Sequence, residues 1–135
     1  MHGILADHNV TKHFRVLLHL LEDESRQEFW SFLNCSTPSL EDLGLAVNSP
    51  DLIVWTKCQE QQLVLLTGNR NARGPDSLEM TIREHNSPQC LPVMTIGNPD
   101  RFLIDRAYAD RVTDRFLEFL MEIDNLRGTG RIYLP

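Results

Sequence analysis

Leu63-Val-Leu-Leu-Thr67, closed by Gly68-Asn69, is the stretch that decides the fold class. Five consecutive apolar or β-branched residues ended by a turn signal form a buried strand rather than one with a wet face. A strand of this kind takes parallel neighbours, and parallel neighbours are reached through crossover connections that helices supply.

The flanking sequence supplies those helices. Upstream, Ser49-Pro50-Asp51 has the form of a helix start, with Ser49 as cap, Pro50 at the first helical position and Asp51 in the electropositive first turn. Leu52, Trp55 and Cys58 then fall on its buried side. Downstream, Asn69–Pro75 is a polar loop, and Asp76 to Glu79 reads as a D-x-x-E capping arrangement opening a helix to about Glu84. Further out, Gly3-Ile-Leu-Ala6 is a short buried strand that stops at Asp7-His8-Asn9. Phe14, Leu17, Leu18 and Leu21 mark one face of a helix over about 11–22 with Thr11 as its cap, and Phe29, Trp30, Phe32 and Leu33 support a shorter one before Ser36–Ser39. Pro92–Ile96 is another buried strand, and Tyr108, Val112, Phe116, Phe119, Leu120 and Ile123 lie along a long helix from about 105 to 124. The expectation is a three-layer α/β fold, a mainly parallel central sheet with helices on both faces. Residues 1–135 form a single domain, with 125–135 as a C-terminal tail.

Composition agrees with a globular chain of one domain: 135 residues, 41% hydrophobic and 24% charged, which excludes a disordered tail, a collagenous repeat and a coiled-coil rod. A net charge of −6 lacks the overall basic footprint of a protein that grips nucleic acid by counterion release, so an RNA-binding role needs a local site. Cys35, Cys58 and Cys90 match neither a disulfide framework nor a zinc knuckle. No apolar run is long enough to span a bilayer, and Met1–Asp7 is too short in apolar residues for a signal-peptide core, so a reducing cytoplasm and no membrane partner are expected.

In parallel α/β sheets the ligand crevice lies outside the carboxyl ends of the strands, which singles out Asp7, Asn9, Thr67, Asn69, Asn71, Asn98 and Asp100. Acidic and amide oxygens gathered there suit a hard cation such as Mg²⁺ or Mn²⁺, which can activate water and neutralise a phosphodiester. Arg70, Arg73, Arg101, Arg106 and Arg111 could give a phosphate-facing rim. Each has a plainer reading. Asp51 is stabilised by the helix dipole with or without a metal, Asn69 and Asn71 are good turn residues, and Asp76 is a helix cap. Asp7 resists it, because an acid directly after a buried strand has no cap to make unless a helix begins at once. The histidines lack metal spacing, and Trp30 and Trp55 read as core. There is no G-x-S-x-G elbow, P-loop or G-x-G-x-x-G.

Ile4-Leu-Ala-Asp-His-Asn9 followed by a helix, Leu40-Glu-Asp-Leu-Gly-Leu45, Ser49-Pro-Asp-Leu-Ile53 and Val64-Leu-Leu-Thr-Gly-Asn69 together resemble the small stand-alone bacterial PIN-like domains, over about residues 3–71. Asn98-Pro-Asp-Arg101 and the closing Asp124–Pro135 segment resemble a small cyanobacterial family. The PIN-like resemblance implies a divalent-metal-dependent ribonuclease site. Its catalytic positions fall on Asp7, Asp51 and Asn69, with Asp7 and Asp51 as the Mg²⁺ or Mn²⁺ ligands. Asn69 stands where the family has an acid, and His8 where it often has a second one, so the acidic set is degenerate. In this reading Arg70, Asn71 and Arg73 contact the RNA. The rival is a non-catalytic module that keeps the fold and works as a homodimer or on a protein partner.

Overall fold

Among the described residues four strands, β1 (Gly3–Ala6), β2 (Leu63–Thr67), β3 (Val93–Ile96) and β4 (Arg131–Leu134), lie side by side in the order β1-β2-β3-β4, every neighbouring pair parallel. The computed structural model describes residues 1–68 and 77–135. Among the described residues six α-helices connect the strands: α1 (Thr11–Leu21), α2 (Gln27–Leu33), α3 (Asp51–Gln61), α4 (Leu78–His85), α5 (Pro99–Ile104) and α6 (Arg106–Met121). All residues of β1, β2 and β3 are buried, as continuous apolar strands covered on both faces must be.

Strand alternation sorts the core into two layers. Ile4, Ala6, Val64, Leu66, Met94, Ile96 and Leu134 point to a layer filled by Phe14, Leu17 and Leu21 of α1, Trp30 of α2, Phe102 of α5 and Val112, Phe116 and Leu120 of α6. Leu5, Leu63, Leu65 and Val93 point the other way, onto Val54, Trp55 and Cys58 of α3 and Leu78 and Ile82 of α4. This is the three-layer arrangement expected. Among the described residues no helix is long and apolar enough to cross a membrane.

The helix starts and the C-terminus differ from the sequence reading. Thr11 and Ser49 are not caps: α1 and α3 begin without a side-chain cap bond, and the Ser49 hydroxyl accepts from the Ala46 N–H instead. Leu52 is 40% exposed, and Val54 takes its place against the sheet. Ser77 caps α4, accepting from the Met80 N–H at 3.2 Å, where Asp76 was expected; Asp76 itself lies outside the described residues. The long helix expected over about 105–124 is α6, capped by the carboxylate of Asp105, which takes extended backbone angles; the short α5 that precedes it was not expected. Residues 131–134 of the expected tail pair with β3 and complete the sheet.

The outer edge of β1 is covered. Ser36 forms a parallel bridge to Gly3, its N–H donating to His2 O at 2.9 Å and its carbonyl accepting from Ile4 N–H at 3.0 Å. The chain then passes around this edge from the α1–α2 layer to the α3–α4 layer.

Candidate functional site

The chain leaves β1 and β3 toward one face of the sheet, through α1 and α5, and leaves β2 toward the other, through α4. Adjacent strands whose connections part in this way open a crevice at their carboxyl ends. By this rule the topology points to the end of β2, with Asp7 and Asn98 following the strands on either side.

Asp7 is held there by its own backbone and by its neighbours. Its N–H donates to Leu66 O at 2.8 Å, extending the β1–β2 ladder by one residue. Carboxylate Oδ2 accepts from Thr67 Oγ1 at 3.2 Å, and Oδ1 accepts from the His8 N–H at 2.8 Å and lies 3.2 Å from His8 Nδ1. Asp7 is 8% exposed and Thr67 wholly buried. Because a 3₁₀ turn starts at His8, Asp7 does have a cap to make, and it makes it. That cap occupies Oδ1, and the hydrogen bond to β2 occupies Oδ2. A carboxylate has about four lone-pair sites, so acceptor capacity is left on both oxygens.

The three strand ends are drawn together. Asn9 Oδ1 accepts from Gly68 N–H at 3.2 Å, and a Cβ on Gly68 would stand 3.1 Å from Pro99 and 3.2 Å from Val10. His13, buried on α1, approaches Pro99 O with Nε2 at 3.0 Å. Its role in bracing the β3 end was missed by sequence reasoning; the one available signal was its place beside Phe14 on the buried helix face. Asn98, flagged as a strand-end oxygen donor, is committed to capping α5 through Arg101 N–H at 3.1 Å. Asp100 is exposed in the first turn of α5.

Asp51 is the first residue of α3 and half-buried. From there α3 runs 11 residues to a left-handed turn at Gln62 and straight into the five residues of β2. At ~1.5 Å per helical and ~3.3 Å per strand residue both elements are about 16 Å long, so Asp51 returns to the carboxyl end of the sheet. Asp7 and Asp51 therefore occupy the same edge. Below them in α3, burial, with the nearby Asp7 charge adding, pushes the Cys58 thiol up to about 12, which keeps it protonated.

Asn69, Arg70, Asn71 and Arg73 lie outside the described residues. The remaining candidate arginines are engaged locally: Arg101 pairs with Asp105 at 2.9 Å, Arg106 with Asp110 at 3.3 Å, and Arg101 and Arg111 stack over the Tyr108 ring. Among the described residues no group of three or more His, Cys, Asp or Glu side chains is placed to hold a metal ion. No protein-family model, curated protein or solved structure matches the chain.

Proposed function

We propose that the chain is a PIN-like, divalent-metal-dependent ribonuclease with a reduced acidic set, in which Asp7 is the principal metal ligand and Asp51 the second. The observation that carries this is the Asp7 carboxylate, buried at the carboxyl end of β1 and fixed in orientation by Thr67 and His8. A buried carboxylate at a crevice, held by donors on two sides, is pre-oriented for a cation. Two carboxylates are few, but Mg²⁺ keeps several waters and is commonly held by one or two carboxylates together with substrate phosphates. The donor set is thus compatible with a cation completed by the substrate. When bound, the metal supplies Lewis acidity toward a phosphodiester and a more acidic water.

The protein's own residues do the positioning. Thr67 keeps Oδ2 of Asp7 turned to β2, and Asn69 orients a water from the next residue but one. Arg70 and Arg73 offer charge to a phosphate, and Asn71 a hydrogen bond. Cleavage of single-stranded RNA with Mn²⁺ or Mg²⁺, against a chelator control, tests the reading. Metal-dependent cleavage lost in Asp7→Asn and raised in Asn69→Asp supports it; equal activity in all three proteins overturns it.

The non-catalytic reading has its own support, in Phe32 at 84% and Ile104 at 86% exposure. Each is apolar area that a docked partner would remove from water. If neither wild type nor Asn69→Asp cleaves RNA, a homodimer or protein-docking module is the better account.

A further inference from the structure

We infer that the cleft beside Asp7, between α1 and the segment 37–47, holds the base of a nucleotide whose phosphate lies toward His8 and Arg15. The inference rests on the ribonuclease reading and carries it to a place on the surface and a class of ligand. The cleft has a volume of about 570 Å³, within the range of small-molecule sites.

Its two walls come from different elements. Phe14 and Leu18 line it from α1, and Leu40 and Val47 from the segment that rounds the β1 edge. Leu18 has the spacing of a core residue yet is only half-buried, because it faces this opening. Phe14 and Leu40 form the floor as core residues, while the more open Leu18 and Val47 give apolar walls suited to a flat ring between them.

The polar rim gives the ligand its direction. His8 lines the cleft while its ring stands 3.2 Å from the Asp7 carboxylate, so the cleft opens onto the candidate metal site. Arg15 is exposed at the mouth and pairs with no carboxylate among the described residues, which leaves its guanidinium for an anion. Glu41 on the opposite rim is an acceptor for the exocyclic amino group of an adenine or cytosine.

The test is a titration of the full ¹⁵N-labelled chain with adenosine 5′-monophosphate, with a chelator present so that no metal contributes. Saturable amide shifts at Thr11, Arg15, Leu18 and Val47 are expected. Arg15→Ala should weaken the nucleotide about tenfold, the scale of one charge-assisted hydrogen bond, and leave adenosine unchanged. Leu18→Trp, whose fold is read in the same spectrum, should abolish both. Absence of saturable shifts at millimolar nucleotide overturns the inference, as does an identical response to inorganic phosphate alone. Nucleotide binding without metal-dependent RNA cleavage supports the cleft and overturns the ribonuclease. Cleavage without binding in the cleft does the reverse.

Discussion

The hydroxyl of Thr67, wholly buried at the end of β2, donates to Oδ2 of Asp7 at the end of β1 across 3.2 Å. This bond spans the crevice-forming pair of strands and fixes the one acid that both the strand ending and the PIN-like resemblance single out. Replacing Thr67 by Val keeps the shape and removes the donor, leaving a buried carboxylate with one partner fewer. Urea denaturation should show a loss of about 1–3 kcal/mol, the cost of unpairing a buried polar group, and Thr67→Ser should recover most of it. Equal stability of the Val and wild-type proteins would mean that the Thr67 hydroxyl does not hold the Asp7 carboxylate.

Gly3 tests the covered edge. A Cβ there would lie 2.0 Å from the carbonyl oxygen of Ser36, a backbone atom that cannot rotate away. Gly3→Ala must displace the bridge between β1 and residue 36, with an expected loss of about 1–3 kcal/mol, in the range of other overpacking changes. Thermal unfolding measures it. An unchanged midpoint would show that the 36–38 segment does not hold the β1 edge.

Much of the fold was legible in the sequence because strands buried on both faces leave a continuous apolar signature. Gly3–Ala6 and Leu63–Thr67 were read to the residue, and Val93–Ile96 to within one. What the sequence hid was local competition. Ser49 and Thr11 look like caps, but neighbouring groups claim their hydroxyls or the helix begins without one. The short α5 escaped notice because its six residues bury only Phe102, too little to show a helical period, whereas the long α6 after it was visible from its apolar face. Arg131-Ile-Tyr-Leu134 has only four residues and lacks the continuous apolar run of the other strands, and only pairing with β3 reveals it as a strand. At the site, Asp7 was found from its place after a strand. The support given by His13 was not, because nothing local ties it to Pro99, far along the chain.

Acid sensitivity should follow from Asp105. The Tyr108 N–H bonded to its carboxylate, and then the Arg101 guanidinium, hold it below the ordinary value of 3.8. A carboxyl lowered in the folded state adds stability above its unfolded pKa, and that stability is lost as pH falls through the folded value. Asp42 and Asp124 are lowered as well, so wild-type Tm should drop steadily below about pH 4. Asp105→Asn retains a capping side chain without the titration, and its Tm should fall less between pH 5 and pH 3. A slope equal to wild type would remove Asp105 as a contributor.

The most direct measurement of the central claim is a calorimetric titration of Mn²⁺ into the wild-type chain and into Asp7→Asn, both confirmed folded by circular dichroism. The account predicts saturable heat for wild type at micromolar to millimolar metal, and a loss of that heat when the Asp7 charge is removed. No binding by wild type at millimolar Mn²⁺, or unchanged binding by Asp7→Asn, would contradict it.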